Sequence, residues 1–102
     1  MVAKAGGRIA GYAVACAGEG RAEIASLAVA PEFRRRGVGT ALMRHLMGLL
    51  GRARVRRVEL MVRTGNRAGA QLYRSLGFRR VGLARRYYED GGDAVVMARG
   101  IK

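Results

Sequence analysis

A chain of 102 residues, half of them apolar, suits one compact domain over 1–102 with a modest core. Its formal net charge of +13, from 18 Arg and 2 Lys against 7 carboxylates, predicts attraction to polyanions such as phosphorylated cofactors, nucleic acid or a ribosome. There is no membrane-length apolar run, no signal-peptide core in 1–7, and no His/Cys cluster with zinc spacing, so neither a membrane span nor a metal site is expected.

The segment 8–17 is apolar on both alternating faces, which predicts a strand covered on both sides. Cys16 lies in it and is expected to be a small buried hydrophobe of a cytoplasmic protein, with no second cysteine to pair with. Gly18-Glu19-Gly20 signals a hairpin into a strand over 21–29, which Pro31 ends because it donates no ladder hydrogen bond. A helix is expected over 38–50, with Val38, Leu42, Leu46 and Leu49 as its stripe and Met43, Met47 and Leu50 widening it. Val58, Leu60 and Val62 alternate with Glu59, Met61 and Arg63 as a strand. Asn66 caps a second helix whose inner face is Ala68, Leu72 and Leu76, and Gly77 supplies its left-handed stop. Strands over 78–84 and 94–98 flank a turn at 89–92, and a first strand is expected at 2–5. The order β-β-β-α-β-α-β-β describes an α/β fold, a mixed sheet with helices packed on it. His45, beside the helix stripe, reads as a structural or surface residue.

The stretch Leu27-Ala28-Val29-Ala30-Pro31-Glu32-Phe33-Arg34-Arg35-Arg36-Gly37-Val38-Gly39-Thr40 is a strand end, a basic turn with two glycines, and a helix start. Helix starts carry unpaired N–H groups and partial positive charge, which suits pyrophosphate. Glycine lets phosphate approach the backbone, and arginine adds forked donors. No Gly-Lys-Ser/Thr follows, so the turn is not a P-loop.

Arg34-x-x-Gly37-x-Gly39 matches the coenzyme A signature of the GNAT superfamily of N-acetyltransferases. The segment from Asn66 to Phe78, with Ala70-Gln71-Leu72-Tyr73 and Leu76-Gly77-Phe78, resembles a second block of that family. Arg86-Tyr87-Tyr88 and Asp93-Ala94-Val95-Val96-Met97 look like the tail of its RimI-type and archaeal N-terminal acetyltransferases. The resemblance implies a GNAT-like fold with a V-shaped opening between the strands near 21–29 and 56–63. Acetyl-CoA would lie there, with the backbone of Leu27, Ala28 and Val29 along its pantetheine arm. Arg34, Arg35, Arg36, Gly37, Val38, Gly39 and Thr40 would cradle the pyrophosphate, and Asn66 would contact the cofactor. Tyr73 is implied as a cofactor contact and as the acid that protonates the leaving thiolate. Tyr87 and Tyr88 are candidates for lining a peptide entrance, with strand packing as the alternative.

Two departures accompany the resemblance. The chain begins late: family members usually have a further strand and two helices before this region, and those helices wall the acceptor site. Where RimI-type enzymes carry a Glu base, this chain has Met61, which accepts no proton. Glu23 matches the catalytic Glu of general-control-type histone acetyltransferases. Glu59 shares a strand face with Met61, about 6–7 Å along. Both are candidate bases working through water. The expected function is acetyl transfer by direct attack, foremost to a peptide or protein α-amine. The alternatives are a small-molecule amine acceptor, a non-catalytic acetyl-CoA-binding module, and a nucleic-acid or ribosome contact through Arg52, Arg54, Arg56 and Arg57 or through Arg79, Arg80, Arg85 and Arg86. An exposed sheet edge also suits a homodimer.

Overall fold

The computed structural model describes residues 2–5, 8–34 and 36–101. The strands are β1 (Val2–Ala5), β2 (Arg8–Gly18), β3 (Arg21–Val29), β4 (Arg57–Arg63), β5 (Arg79–Ala84) and β6 (Ala94–Gly100), and the helices are α1 (Val38–Arg52) and α2 (Arg67–Ser75). They follow the element order expected from the sequence. The sheet order is β1-β2-β3-β4-β6-β5, antiparallel throughout except for the parallel β3–β4 pair.

Local chemistry explains the framework. Glu19 and Gly20 both have positive φ, 54° and 78°, so the β2–β3 loop is the two-residue turn whose twist suits a hairpin. Gly11 lets β2, β3 and α1 close together, since a Cβ there would lie 2.6 Å from the Ala28 carbonyl oxygen and 3.1 Å from Leu42 Cδ1. Gly77, at φ 91°, turns the chain out of α2 into β5.

One core joins both helices to one face of the sheet. Ile24, Val58, Leu60, Val62 and Met97 meet Met43, Leu46, Met47 and Leu50 of α1, and Leu76 and Phe78 at the end of α2. The buried stripe of α1 is therefore centred on Met43 and Met47; Leu49, expected in the stripe, is 41% exposed. In α2, Ala70 packs against the core while Ala68 faces solvent.

The opposite face corrects a second expectation. β2 is covered on one side only: Ile9, Tyr12 and Val14 are 60%, 42% and 45% exposed. Cys16 on the same strand is exposed, not buried. Alternation showed that both faces are apolar, but apolarity does not supply a second layer.

Candidate active site

β3 and β4 pair over four residues, from Arg21↔Arg57 to Ile24↔Leu60, and then part. Beyond that point β4 pairs only with β6, and β3 only with β2. The cause is local. Val14 pairs with Ser26 but Ala15 pairs with Ile24, so Ala25 is an extra residue in β3. Such a bulge bends its strand and sharpens its twist. The bulge falls at the first position after the last β3–β4 pair, and the V-shaped opening starts there.

A cavity of about 280 Å³ occupies the opening. Its walls include Ser26 and Leu27 of β3, Met61 and Arg63 of β4, Asn66 and Tyr73 from α2 and its cap, and Tyr88 from the β5–β6 loop. Tyr73 is steadied by an edge-on contact with Phe78, centroids 6.1 Å apart. Burial, with a smaller effect from Tyr88, raises its phenol pKa above the ordinary 10.0. A neutral, donating phenol therefore faces the cavity. The Asn66 side chain accepts the Gly69 N–H at 3.0 Å, so it caps α2 as expected while also lining the cavity. Tyr88 is half-buried at the cavity; Tyr87 stacks edge-on against it and is exposed.

The start of α1 abuts this opening. A Cβ on Gly39 would stand 3.6 Å from Val29 Cγ2 and 3.5 Å from Leu72 Cδ2, which places the helix start against the end of β3 and against α2. Its N-cap, Gly37, is left-handed at φ 77°, and no side chain caps the first turn. Open N–H groups with the helix's positive end favour an anion there. Of the arginines expected to help, Arg34 donates through Nε to the Val29 carbonyl at 3.2 Å, and Arg36 lies 6.0 Å from the Phe33 ring centroid. Arg35 lies outside the described residues. Val38, Gly39 and Thr40 are half-buried in the first turn; Leu27, Ala28 and Val29 are half-buried where β3 has left β4. An uncapped helix start beside a strand edge that β4 has left unpaired fits a pyrophosphate with a pantetheine arm.

Glu23 and Glu59 do not line the Tyr73 cavity. They are register partners and line a neighbouring hollow of about 380 Å³ with Cys16, Arg21 and Arg57. Glu59 is held by Arg57 at 3.1 Å. The strand pleat nonetheless puts Glu59 and Met61 on one face, so the two hollows adjoin.

Sequence reading did not single out Arg63 or Asp90. Arg63 Nη1 donates to both carboxylate oxygens of Asp90 at 3.0 Å, and its guanidinium lies 4.0 Å from the Tyr88 centroid. Period-two alternation would have put Arg63 on the face of Met61, but no pattern links it to a residue 27 positions on. Among the described residues, no group of three or more His, Cys, Asp or Glu could hold a metal ion, and no helix is long and apolar enough to cross a membrane.

The model of the acetyltransferase (GNAT) family matches residues 1–78. The chain is 44% identical over 103 residues to the N-alpha-acetyltransferase RimI of Mycobacterium tuberculosis, covering 95% of this chain and 63% of that relative. The crystal structure of the ribosomal-protein-S18-alanine N-acetyltransferase from Escherichia coli superposes with a TM-score of 0.89 at 36% identity, covering 97% of this chain and 66% of that one. Ard1 from Thermoplasma volcanium does so with a TM-score of 0.90 at 33% identity, covering 95% and 66%. The chain thus spans just under two thirds of the length of these relatives.

Proposed function

This chain belongs to the acetyltransferase (GNAT) family, and from that premise we propose that it transfers an acetyl group from acetyl-CoA to the α-amine of a protein or peptide. The observation that carries the proposal is the cavity at the parting of β3 and β4, with the neutral phenol of Tyr73 on one wall and the unpaired edge of β3 on another.

The first-turn N–H groups of α1, with Arg34 and Arg36 nearby, hold the pyrophosphate, and the backbone of Leu27, Ala28 and Val29 holds the pantetheine arm. Bound acetyl-CoA supplies an acetyl group activated as a thioester. β3 N–H groups that point away from β2 are placed to hydrogen-bond the carbonyl oxygen as negative charge develops on it. Tyr73 gives its proton to sulfur as the C–S bond breaks and the N–C bond forms. Glu23 or Glu59, through water, accepts the proton that the amine loses.

A peptide acceptor is supported by the activities for which the relatives are named and by Tyr88 in the cavity wall, with Tyr87 packed edge-on beside it. A second reading rests on Met61, which stands in the cavity where the RimI-type resemblance expects a carboxylate. It takes the chain to be a non-catalytic acetyl-CoA-binding module. Calorimetry with acetyl-CoA, combined with thiol release across a panel of peptides and small amines, separates the readings. Binding with peptide-dependent release is the expected result. Release with small amines alone sinks the peptide acceptor, binding without release favours the module, and no binding to folded protein overturns both.

A further inference from the structure

The β5–β6 loop carries one of the two tyrosines in the cavity, yet it is mostly exposed and has no helix or strand of its own between Ala84 and Ala94. Its position must come from particular contacts. At its base, the Asp93 carbonyl accepts the Thr64 N–H at 3.0 Å and its carboxylate accepts the Arg86 N–H at 2.9 Å. Within it, the Tyr88 N–H donates to the Gly92 carbonyl and the Gly91 N–H to the Tyr88 carbonyl. These bonds close the loop on itself or fix its ends. Of the side-chain contacts described, those that tie its tip to the sheet come from one residue, Arg63.

We propose that Arg63 is a positioning residue for the acceptor side of the site: it latches the loop by gripping Asp90 while its guanidinium plane backs the Tyr88 ring. Both grips come from a single side chain at the end of β4, so they are made or lost together. Asp90 is prepared for its part, because its Oδ1 also accepts the Gly92 N–H at 2.9 Å, which fixes the carboxylate facing Arg63. Gly92 is also needed for space, since a Cβ there would run into Arg63 Nη1 and sit 3.0 Å from Asp90 Oδ1. Arginine suits the position better than lysine, because the planar guanidinium can stack on the ring while donating in its own plane.

The consequence is a division of labour. The start of α1 holds the pyrophosphate in the reading above; Arg63 and Tyr88 line the cavity with Ser26 and Leu27, whereas Asp90 and Gly92, the rest of the latch, do not. Tyr88 faces the acceptor, and the latch sets where Tyr88 stands. This consequence rests on the peptide-acceptor reading above; the latch itself does not.

The test uses the full chain with Arg63→Gln, Arg63→Lys, Asp90→Asn and Gly92→Ala. Amide hydrogen exchange is followed over 85–93, together with acetyl-CoA affinity and the KM and kcat for a peptide acceptor. The latch predicts faster exchange confined to 85–93 in the Gln, Asn and Ala variants, with acetyl-CoA affinity unchanged in Asp90→Asn and Gly92→Ala, whose positions do not line the cavity. It also predicts that peptide KM rises about tenfold in Asp90→Asn with little change in kcat, the scale of one exposed ion pair plus one stacked cation. Arg63→Lys should recover part of the effect. Unchanged exchange at 85–93 in all three variants, or loosening spread over the whole sheet, overturns the latch. Faster local exchange in a protein whose wild type acetylates no peptide confirms the latch and overturns the peptide reading; faster exchange with an unmoved peptide KM overturns the acceptor role of the loop.

Discussion

Glu23 and Glu59 are register partners on the two parallel strands, one pair before those strands part. In-register neighbours sit about 4.8 Å apart along the hydrogen-bonding direction, so two carboxylates share a small area. Arg57 holds one of them. Glu23 has no such described ion pair and is the better placed of the two to take a proton. Glu23→Gln is therefore expected to lower kcat at neutral pH by about two orders of magnitude or more, and Glu59→Gln by much less. Steady-state rates with unchanged acetyl-CoA affinity are the check. Equal, small effects from both would remove the pair from the chemistry and favour the binding-module reading.

Tyr73→Phe is expected to cut turnover while leaving stability nearly untouched, because the edge-on contact with Phe78 needs only the ring. The pH dependence has a defined sign. Burial raises the folded pKa above 10.0, so the proton is bound more tightly in the folded chain. The associated stability is fully present below about pH 10 and is lost as pH rises through the folded value. Turnover limited by this donor should then show no alkaline decline below pH 10. A decline near pH 8 that vanishes in Tyr73→Phe would contradict the assignment.

Much of this site was legible because its parts are local. Glu19-Gly20, Asn66 and Gly77 each announce a turn, a cap and a stop by residue type and position, and the structure uses each that way. The resemblance put the opening between these two strands, but the point along them where it begins was not legible. It depends on Ala25 as an extra residue in β3, and an alanine looks the same in a bulge as in a regular strand. The face of β2 failed for a related reason: Tyr12, Val14 and Cys16 are apolar or thiol-bearing, and only tertiary structure decides whether anything covers them. Arg63 and Asp90 meet only because β4 and the last loop are brought together by β6.

Asp90 should titrate below its ordinary 3.8, because the Gly92 N–H and then Arg63 stabilise its charged form. A depressed folded pKa gives an interaction present above the unfolded value and lost as pH falls through the folded one. The loop around Tyr88 is therefore expected to hold one conformation from pH 8 down to about 4. Side-chain carboxyl NMR of Asp90, followed with the Tyr88 ring signals, checks this. A transition near pH 5 would contradict it.

Gly11→Ala should destabilise the fold by about 1–3 kcal/mol, the usual cost of forcing atoms into a packed site. The added methyl would press on the Ala28 carbonyl, which cannot move without disturbing β3 where it borders the cavity. Urea denaturation measures the loss. Acetyl-CoA affinity should fall along with stability, because Ala28 belongs to the strand segment proposed to hold the pantetheine arm.

Asn66 does two jobs, and substitution can separate them. Its side chain caps α2 through the Gly69 N–H, and a Cβ at Gly69 would lie 2.6 Å from Asn66 Nδ2, so a larger residue there would have to shift the amide. The same side chain lines the cavity. Asn66→Ala loses both roles and should cost about 1 kcal/mol of stability together with acetyl-CoA affinity. Asn66→Ser keeps an oxygen that can accept the Gly69 N–H but removes the amide from the cavity. Its stability should return to near that of the parent chain while its affinity stays weak. Thermal unfolding and calorimetry on the two variants decide the matter: if serine restores affinity as well as stability, Asn66 acts on the cofactor only by holding α2 in place.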